Sequence, residues 1–505
     1  MKRLLSISRL NKLNAEGVQI PLEETLSYPE KVLQFGTGVL LRGLPDYFIN
    51  KANQQGVFKG RVVVVKSTSR GGVDDFTSQD CLYTLCVQGI ENKKQVENYI
   101  VNSSLSRVLI AKEQWEEILQ VARSEDLEVI ISNTTEAGIV KVSETIGDES
   151  PDSFPAKLLA VLLARFKHFG GDLSKGVVIL PTELINDNGQ TLKKIVLELA
   201  KENQLSEDFI NWLENANYFS NTLVDRIVPG ALPAEKHEEI TGRLGYDDNL
   251  MIMAEPYRLW AIEAPNEKVK SKLSFAQVDP GVKLVESIEK YKEIKLRLLN
   301  GAHTLSCAAA LLCGFKTVKE ALADDDFRRF VENTLFNEIG SCLIGKVGIQ
   351  KQDVQEFGSS VIDRFSNPYL DHKWESIALN YTAKLKMRNV DILDQWYEHS
   401  SSAPVFFSFG FAAYLHLYRA RKENGEWVSD VKAGRVTLQD ELAEKVNGYT
   451  SSEGDPVASI LKDESLWGRD LTKLPGLLKE VTKAWKSIQE NGALETIKSL
   501  NASSN

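Results

Sequence analysis

The sequence predicts a doubly wound α/β domain followed by a mostly α-helical one. Two observations carry this. Short β-branched runs alternate with helical runs through the first half, and after about residue 280 the strand-like runs nearly vanish. In order, Val32-Leu33-Gln34-Phe35 reads as a strand and residues 40–53 as a helix. Val62-Val63-Val64-Val65 puts valine on both faces, as a strand buried on both sides requires. A helix over 113–123, a strand over 127–131, a helix over 156–169 and a strand over 177–181 continue the alternation. Such βαβ units imply a parallel sheet with right-handed crossovers and helices on both faces, a Rossmann-like arrangement. Helices are then predicted over 285–299, 304–312, 326–335, 374–386, 412–422 and 477–489. Pro265, Asn266, Pro280 and Gly281 break regularity between the halves, giving an α/β domain over 1–275 and a helical domain over 276–505.

The 505 residues are 43% hydrophobic and 26% charged, an ordinary globular composition long enough for two cores. A net charge of -10 disfavours a nucleic-acid partner, which selects a basic face. Cys81, Cys86, Cys307, Cys313 and Cys342 are odd in number and match no metal spacing, so they read as thiols in a reducing compartment. His168, His237, His399 and His416 show no metal spacing either, and no metal is expected. Met1-Lys2-Arg3-Leu4-Leu5 has the charge of a signal peptide, but Ser6, Ser8, Arg9 and Asn11 interrupt any apolar core. The most apolar run, 308–315, is far below the roughly 20 residues of a membrane span. A cytoplasmic protein without membrane attachment is the expectation.

The first strand runs into Phe35-Gly36-Thr37-Gly38-Val39-Leu40-Leu41-Arg42-Gly43. Glycines at a strand–helix turn let the backbone approach a pyrophosphate, and the helix N-terminus offers free N–H groups. The third glycine of the full dinucleotide fingerprint is replaced by Leu41, so a plain tight turn fits the same residues. Lys66-Ser67-Thr68 stands where a ribose-binding acid is usual. Lys66 suits a 2′-phosphate, packing over an adenine, or solvent, which leaves NAD and NADP both open.

A helix then leads into Lys295-Leu296-Arg297-Leu298-Leu299-Asn300-Gly301-Ala302-His303. A lysine can protonate the alkoxide that hydride transfer creates. An asparagine amide can polarise a carbonyl, and a histidine can orient substrate hydroxyls. Asn300 and His303, three apart, share a face of an ideal helix, whereas Lys295 is rotated well away from Asn300. Either the lysine's long arm compensates or the helix is irregular near Gly301. A solvated lysine, a capping Asn-Gly pair and a core-edge histidine explain the same residues.

The spacing Lys-x4-Asn-x2-His resembles the catalytic signature of the long-chain mannitol dehydrogenase family. Gln79-Asp80-Cys81-Leu82-Tyr83-Thr84-Leu85, Asn133-Thr134-Thr135-Glu136-Ala137-Gly138, Val224-Asp225-Arg226-Ile227-Val228-Pro229, Glu255-Pro256-Tyr257 and Arg364-Phe365-Ser366-Asn367-Pro368 resemble other segments of that family, in its order, across residues 31–420. The resemblance implies a Rossmann-like domain, a helical domain, no metal and NAD as the usual cofactor. It implies Lys295 as general acid/base, Asn300 as the group that polarises the carbonyl, and His303 as a holder of a substrate hydroxyl. It implies cofactor contacts from Phe35, Gly36, Thr37, Gly38, Val39, Arg42 and Lys66, and from Thr134, Thr135 and Glu136 at the nicotinamide. Asp225 is implied on the substrate side. The likeness is closest to members acting on sugar acids in hexuronate catabolism, through Val32 to Gly38, Arg42, Lys66-Ser67-Thr68 and Pro181-Thr182-Glu183-Leu184-Ile185. Glu183-Leu184 stands where mannitol-type members have Asp-Asn, which leaves the partner of Asn300 open between Asn188 and a main-chain N–H.

A uronate or aldonate substrate carries a carboxylate, which calls for a cation, ideally a bidentate arginine. Arg364, His372, Lys373, Lys384 and Arg388 are the candidates, and Lys384 and Arg388, four apart, can point one way from a helix. The rivals are a neutral polyol or another keto-uronate, a dinucleotide-binding regulator without catalysis, and an NADP-linked sugar-phosphate dehydrogenase. A monomer or homodimer is expected.

Overall fold

The computed structural model of the chain describes residues 4–11, 13, 17–67, 72–134, 138–452 and 454–503. Its contacts divide the chain into two units, Met1–Gln88 with Gln95–Ile288, and Gly89–Lys94 with Glu289–Asn505. The first is built on β1 (Glu30–Phe35), β2 (Arg61–Lys66), β3 (Leu105–Ile110), β4 (Val129–Ser132), β5 (Val178–Pro181) and β6 (Tyr218–Phe219). These form one six-stranded sheet in the order β3-β2-β1-β4-β5-β6, with every pair parallel. That is the doubly wound Rossmann order, and it reverses between β1 and β4.

Alternate strand residues feed two cores. Leu33, Phe35, Val63, Val65 and Ile130 pack on one face with Leu158, Leu159 and Leu162. Val32, Val62, Val64, Val129 and Ile131 pack on the other with Leu41, Leu44 and Phe48. The valine strand is thus buried on both faces, as its composition predicts. The helix expected over 40–53 is two, α1 (Val39–Gly43) and α2 (Pro45–Gln54), because Pro45 disfavours the α region for Leu44, which adopts φ -132°, ψ -75°. Val282–Val285 pairs with Leu259–Glu263 as a parallel strand. The first unit therefore runs on past 275/276, and the helix expected over 285–299 begins at Glu289.

In the second unit the two helices expected over 285–312 are one continuous helix of 25 residues, Glu289–Cys313. It comprises α3 (Glu289–Ile294), a π-helical turn over Lys295–Gly301, and α4 (Ala302–Cys313). By length and composition it matches a membrane span, which the short run 308–315 does not suggest, but its most apolar window is 72% buried inside the unit. It is the central core helix, packed among α5 (Lys351–Phe365), α6 (Tyr381–Arg388) and Val405–Leu417. The helix expected over 374–386 splits into Trp374–Ile377 and α6, because Asn380 takes a left-handed φ of 49°. The helix expected over 412–422 is Val405–Leu417. Beyond it lies an unexpected antiparallel sheet of Arg421–Glu423, Glu426–Val431 and Gly434–Thr437. Asn424 and Gly425, with φ of 49° and 88°, make its two-residue turn.

Candidate active site

β1 delivers Gly36 to the point where the sheet order reverses. Gly36 has φ +128°, and a Cβ there would lie 3.0 Å from the Asn133 carbonyl oxygen and from Leu41 Cδ1. Leu41, at the place of the third glycine, is fully buried and fills the room that the missing Cβ leaves. Gly38 is exposed, with open space where its Cβ would stand. The backbone of Thr37, Gly38 and Val39 is therefore a cradle that fits a pyrophosphate at a switch point.

β4 ends beside it at Asn133 and Thr134, and the turn is held by Glu183. Glu183 Oε1 accepts from the Thr134 N–H (2.8 Å) and hydroxyl (2.9 Å), and Oε2 accepts from the Ser132 hydroxyl (3.1 Å). The Asn133 amide donates to Thr182 Oγ1 at 2.9 Å. Glu183 is 3% exposed while Leu184 is 60% exposed, so the acid in this chain's Glu-Leu pair faces inward as a bracket.

Three expected ligands have other work. Phe35 is a fully buried core residue against Phe154, at 5.1 Å between ring centroids, so only its backbone reaches the turn. The Arg42 guanidinium donates to the Leu250 carbonyl (2.7 Å) and lies over Tyr83 and Phe76, and burial lowers its pKa; it braces the fold rather than a cofactor. Asn188 donates to the carbonyls of Pro181, Glu183 and Thr222 and accepts from the N–H of Thr222, so its amide is consumed and cannot partner Asn300. Lys66 is buried at the end of β2, and Asp225 is buried at the end of Thr222–Asp225. Thr135 and Glu136 lie outside the described residues.

The second unit carries the acid–base candidates on the π-helical turn. On an α-helix residues five apart stand about 140° apart around the axis. In a π-turn, whose hydrogen bonds run i→i+5, they stack close to one another. Lys295 and Asn300 are five apart within that turn, so the irregularity, not the lysine's reach, brings them to one side. Both are half-buried, and among the described residues the Asn300 amide has no hydrogen-bond partner. The Thr304 hydroxyl donates to the Asn300 carbonyl (2.9 Å), and the Tyr381 hydroxyl donates to the Thr304 carbonyl (2.7 Å).

His303 stacks on Phe365 at 3.9 Å between centroids and meets His372 edge-on at 5.2 Å. Burial, then the charges of His372, Arg364 and Arg388, hold its pKa well below the ordinary value, so the ring is neutral at neutral pH. Its buried Nε2 has no partner among the described residues. A neutral imidazole with an unclaimed nitrogen can exchange a hydrogen bond with a substrate hydroxyl.

The cations differ in what they can offer. Arg388 is half-buried and donates from Nη1 to Thr304 Oγ1 at 3.1 Å, beside the catalytic turn; its Nε has no partner among the described residues. Arg364 is 6% exposed at the end of α5 and acts electrostatically on His303 and His372. Lys384 donates to the Ile377 carbonyl at 3.2 Å, and burial followed by the charge of Arg388 lowers its pKa. Lys373 is exposed. Sequence reasoning missed the Glu183 bracket, the Phe365 stack, and Thr304 and Asn389 around the turn. Gly301 inside an apolar helix was the available signal of a close backbone approach.

Comparison with known proteins agrees along the whole chain. The family described as Mannitol dehydrogenase Rossmann domain matches residues 30–274, and the Mannitol dehydrogenase C-terminal domain matches residues 287–489. An altronate oxidoreductase of Halalkalibacterium halodurans is 37% identical over 481 residues, covering 93% of each chain. Those of Bacillus subtilis and Escherichia coli O1:K1 / APEC are 37% and 34% identical, over 92% and 97% of this chain and 94% and 99% of theirs. Two solved structures share the fold at 21% identity. D-sorbitol dehydrogenase in substrate-free form has a TM-score of 0.78 and covers 98% of this chain and 100% of its own. Pseudomonas fluorescens mannitol 2-dehydrogenase, in ternary complex with NAD and D-mannitol, has a TM-score of 0.66 and covers 99% of each. The chain belongs to the mannitol dehydrogenase family.

Proposed function

We propose that this protein interconverts tagaturonate and altronate with NAD as cofactor. One observation carries the mechanism: a π-turn holds Lys295 and Asn300, five apart, with Arg388 hydrogen-bonded to Thr304 beside it. The altronate oxidoreductases that match over nearly the full chain supply the substrate. When bound, the reduced nicotinamide supplies a hydride to the carbonyl carbon. The Asn300 amide hydrogen-bonds the carbonyl oxygen and favours the charge that develops there. The Lys295 ammonium gives that oxygen a proton, and the neutral lysine takes it back in the reverse direction. His303 Nε2 holds an adjacent hydroxyl. The Arg388 guanidinium takes the substrate carboxylate, with Arg364 and Lys384 adding positive potential and His372, its pKa lowered by burial, a neutral hydrogen-bonding group beside them. The backbone of Thr37, Gly38 and Val39 would hold the pyrophosphate, and Lys66, at the end of β2, would serve the ribose side. The protein works as a monomer or homodimer in the cytoplasm.

The test is the initial rate of NADH oxidation with tagaturonate, fructuronate, fructose and xylulose, repeated on the best with NADPH. Turnover of tagaturonate far above the others is the expected result. Turnover of fructose instead keeps Lys295 and discards the uronate. Silence on all four discards the enzyme.

A further inference from the structure

Three consecutive residues at the end of α6 grip the catalytic turn. The Met387 carbonyl accepts from Arg297 Nη1 at 2.5 Å. Arg388 Nη1 donates to Thr304 Oγ1, which donates on to the Asn300 carbonyl. Asn389 Nδ2 donates to the Gly301 carbonyl at 3.1 Å. The carbonyls of Asn300 and Gly301, at the C-terminal end of the π-turn, accept from the side chains of Thr304 and Asn389.

The approach of Asn389 depends on glycine. A Cβ on residue 301 would stand 3.1 Å from Asn389 Nδ2 and 3.5 Å from the Arg388 carbonyl oxygen. Asn389 is 1% exposed, and its Oδ1 has no partner among the described residues. A buried amide with one end unsatisfied costs stability, and an apolar residue there would avoid that cost. The amide is kept for its Nδ2 bond.

We propose that Asn389 is a positioning residue for the reaction. Through the Gly301 carbonyl it holds the π-turn in the register that sets Lys295 against Asn300. If the turn relaxed to an α-helix, these two would rotate about 140° apart. The inference rests on the roles given above to Lys295 and Asn300; Asn389 itself touches neither substrate nor cofactor.

The test is Asn389→Asp, which keeps the shape and loses the donor, with Gly301→Ala as a second variant whose Cβ crowds the amide and lengthens its bond to the carbonyl. Both are assayed with tagaturonate and NADH beside the wild type, with thermal melts and NADH titrations. Asn389→Asp should lower kcat about 100-fold and Gly301→Ala about tenfold. KM for tagaturonate and Kd for NADH should each stay within threefold. The primary isotope effect on kcat, measured with NADH deuterated at the transferred position, should rise because hydride transfer becomes limiting. If Asn389→Asp does not fold, Gly301→Ala carries the test. Folded variants with a lowered melting temperature but kcat within twofold of wild type overturn the proposal, since a scaffold residue behaves that way. Wild-type silence overturns it together with the proposed function. Wild-type turnover of a different ketose discards the uronate alone, and the same kcat split on that ketose then decides for or against Asn389.

Discussion

Replacing Glu183 with alanine tests the view that this acid holds the turn at the end of β4 and is not a catalytic group. The side chain accepts three hydrogen bonds, two from Thr134 and one from Ser132, in a pocket where it is 3% exposed. Alanine removes all three. The two hydroxyls can rotate toward other acceptors, but the Thr134 N–H is fixed by the backbone and is left without its acceptor. Hydrogen bonds to a charged group contribute roughly 1.5–3 kcal/mol each, and a stranded buried donor costs about 1–3 kcal/mol. Thr134 is only half-buried, so water recovers part of the loss. The net destabilisation is about 2–4 kcal/mol, read from the urea midpoint at constant slope. Loosening the turn should also weaken NADH, followed by fluorescence titration, about tenfold, which is roughly 1.4 kcal/mol. Glu183→Gln, which keeps one oxygen for Thr134, should recover most of both effects. An alanine variant with wild-type stability and wild-type NADH affinity would refute the bracket.

Lys295→Met should bind NADH like the wild type while turnover falls by at least a thousandfold, and normal turnover would remove Lys295 from the mechanism. Arg388→Ala should raise KM for tagaturonate at least tenfold, and an unchanged KM would clear Arg388 of carboxylate capture. Asp46 is fully buried on α2, and burial pushes its carboxyl from 3.8 up to about 7. The folded state then holds that proton more tightly than the unfolded chain, so stability falls as pH rises from about 4 to about 7, by about 4 kcal/mol at most. Asp46→Asn should remove that fall in melting temperature, leaving the shares of Glu338 and Asp248, which burial also raises, and the opposite shares of His303, His372 and His416, which burial lowers. An unchanged pH profile would place Asp46 in contact with water.

The strands of the first unit were legible because each is a β-branched run whose two faces are both buried, and strand–helix alternation leaves few topologies. Helix ends were less so. Leu44 and Asn380 break helices by backbone conformation, and only at Leu44 does a following proline announce it. The hairpin has a readable signal in Asn424-Gly425, but the helical pattern running up to Lys422 masks the strand before it. In the site, the residue types at Lys295, Asn300 and His303 were visible, but their mutual placement was not. Periodicity assumes a regular helix, and on one Lys295 faces away from Asn300. Arg42 and Asn188 show the reverse failure, since a polar residue in a family-like segment looks functional until its hydrogen bonds are counted. The Asn188 amide is spent on backbone carbonyls, and the Arg42 guanidinium is buried with one bond to the Leu250 carbonyl.

The cations of the second unit are informative because of what surrounds them. The chain as a whole is acidic, with a net charge of -10, and most of its lysines and arginines could pair with a carboxylate. Around His303 the permanent charges that act on the ring are both positive, Arg364 and Arg388, and burial with the charge of Arg364 lowers the pKa of the neighbouring His372. Arg388 also depresses Lys384. Cations gathered at one end of a buried helix repel each other at a cost that falls steeply with distance and with water. An anion seated beside Arg388 would gain from this potential, and a neutral polyol would gain less. In the proposed mechanism a substrate with a terminal carboxylate brings that anion itself, while His303 and Asn300 meet a hydroxyl and the carbonyl elsewhere on the same molecule. Burial, and then that potential, keeps His303 neutral, so it can accept a hydrogen bond from a substrate hydroxyl. On that proposal, charge recognition and acid–base chemistry would be coupled through one short stretch of helix and the residues packed on it.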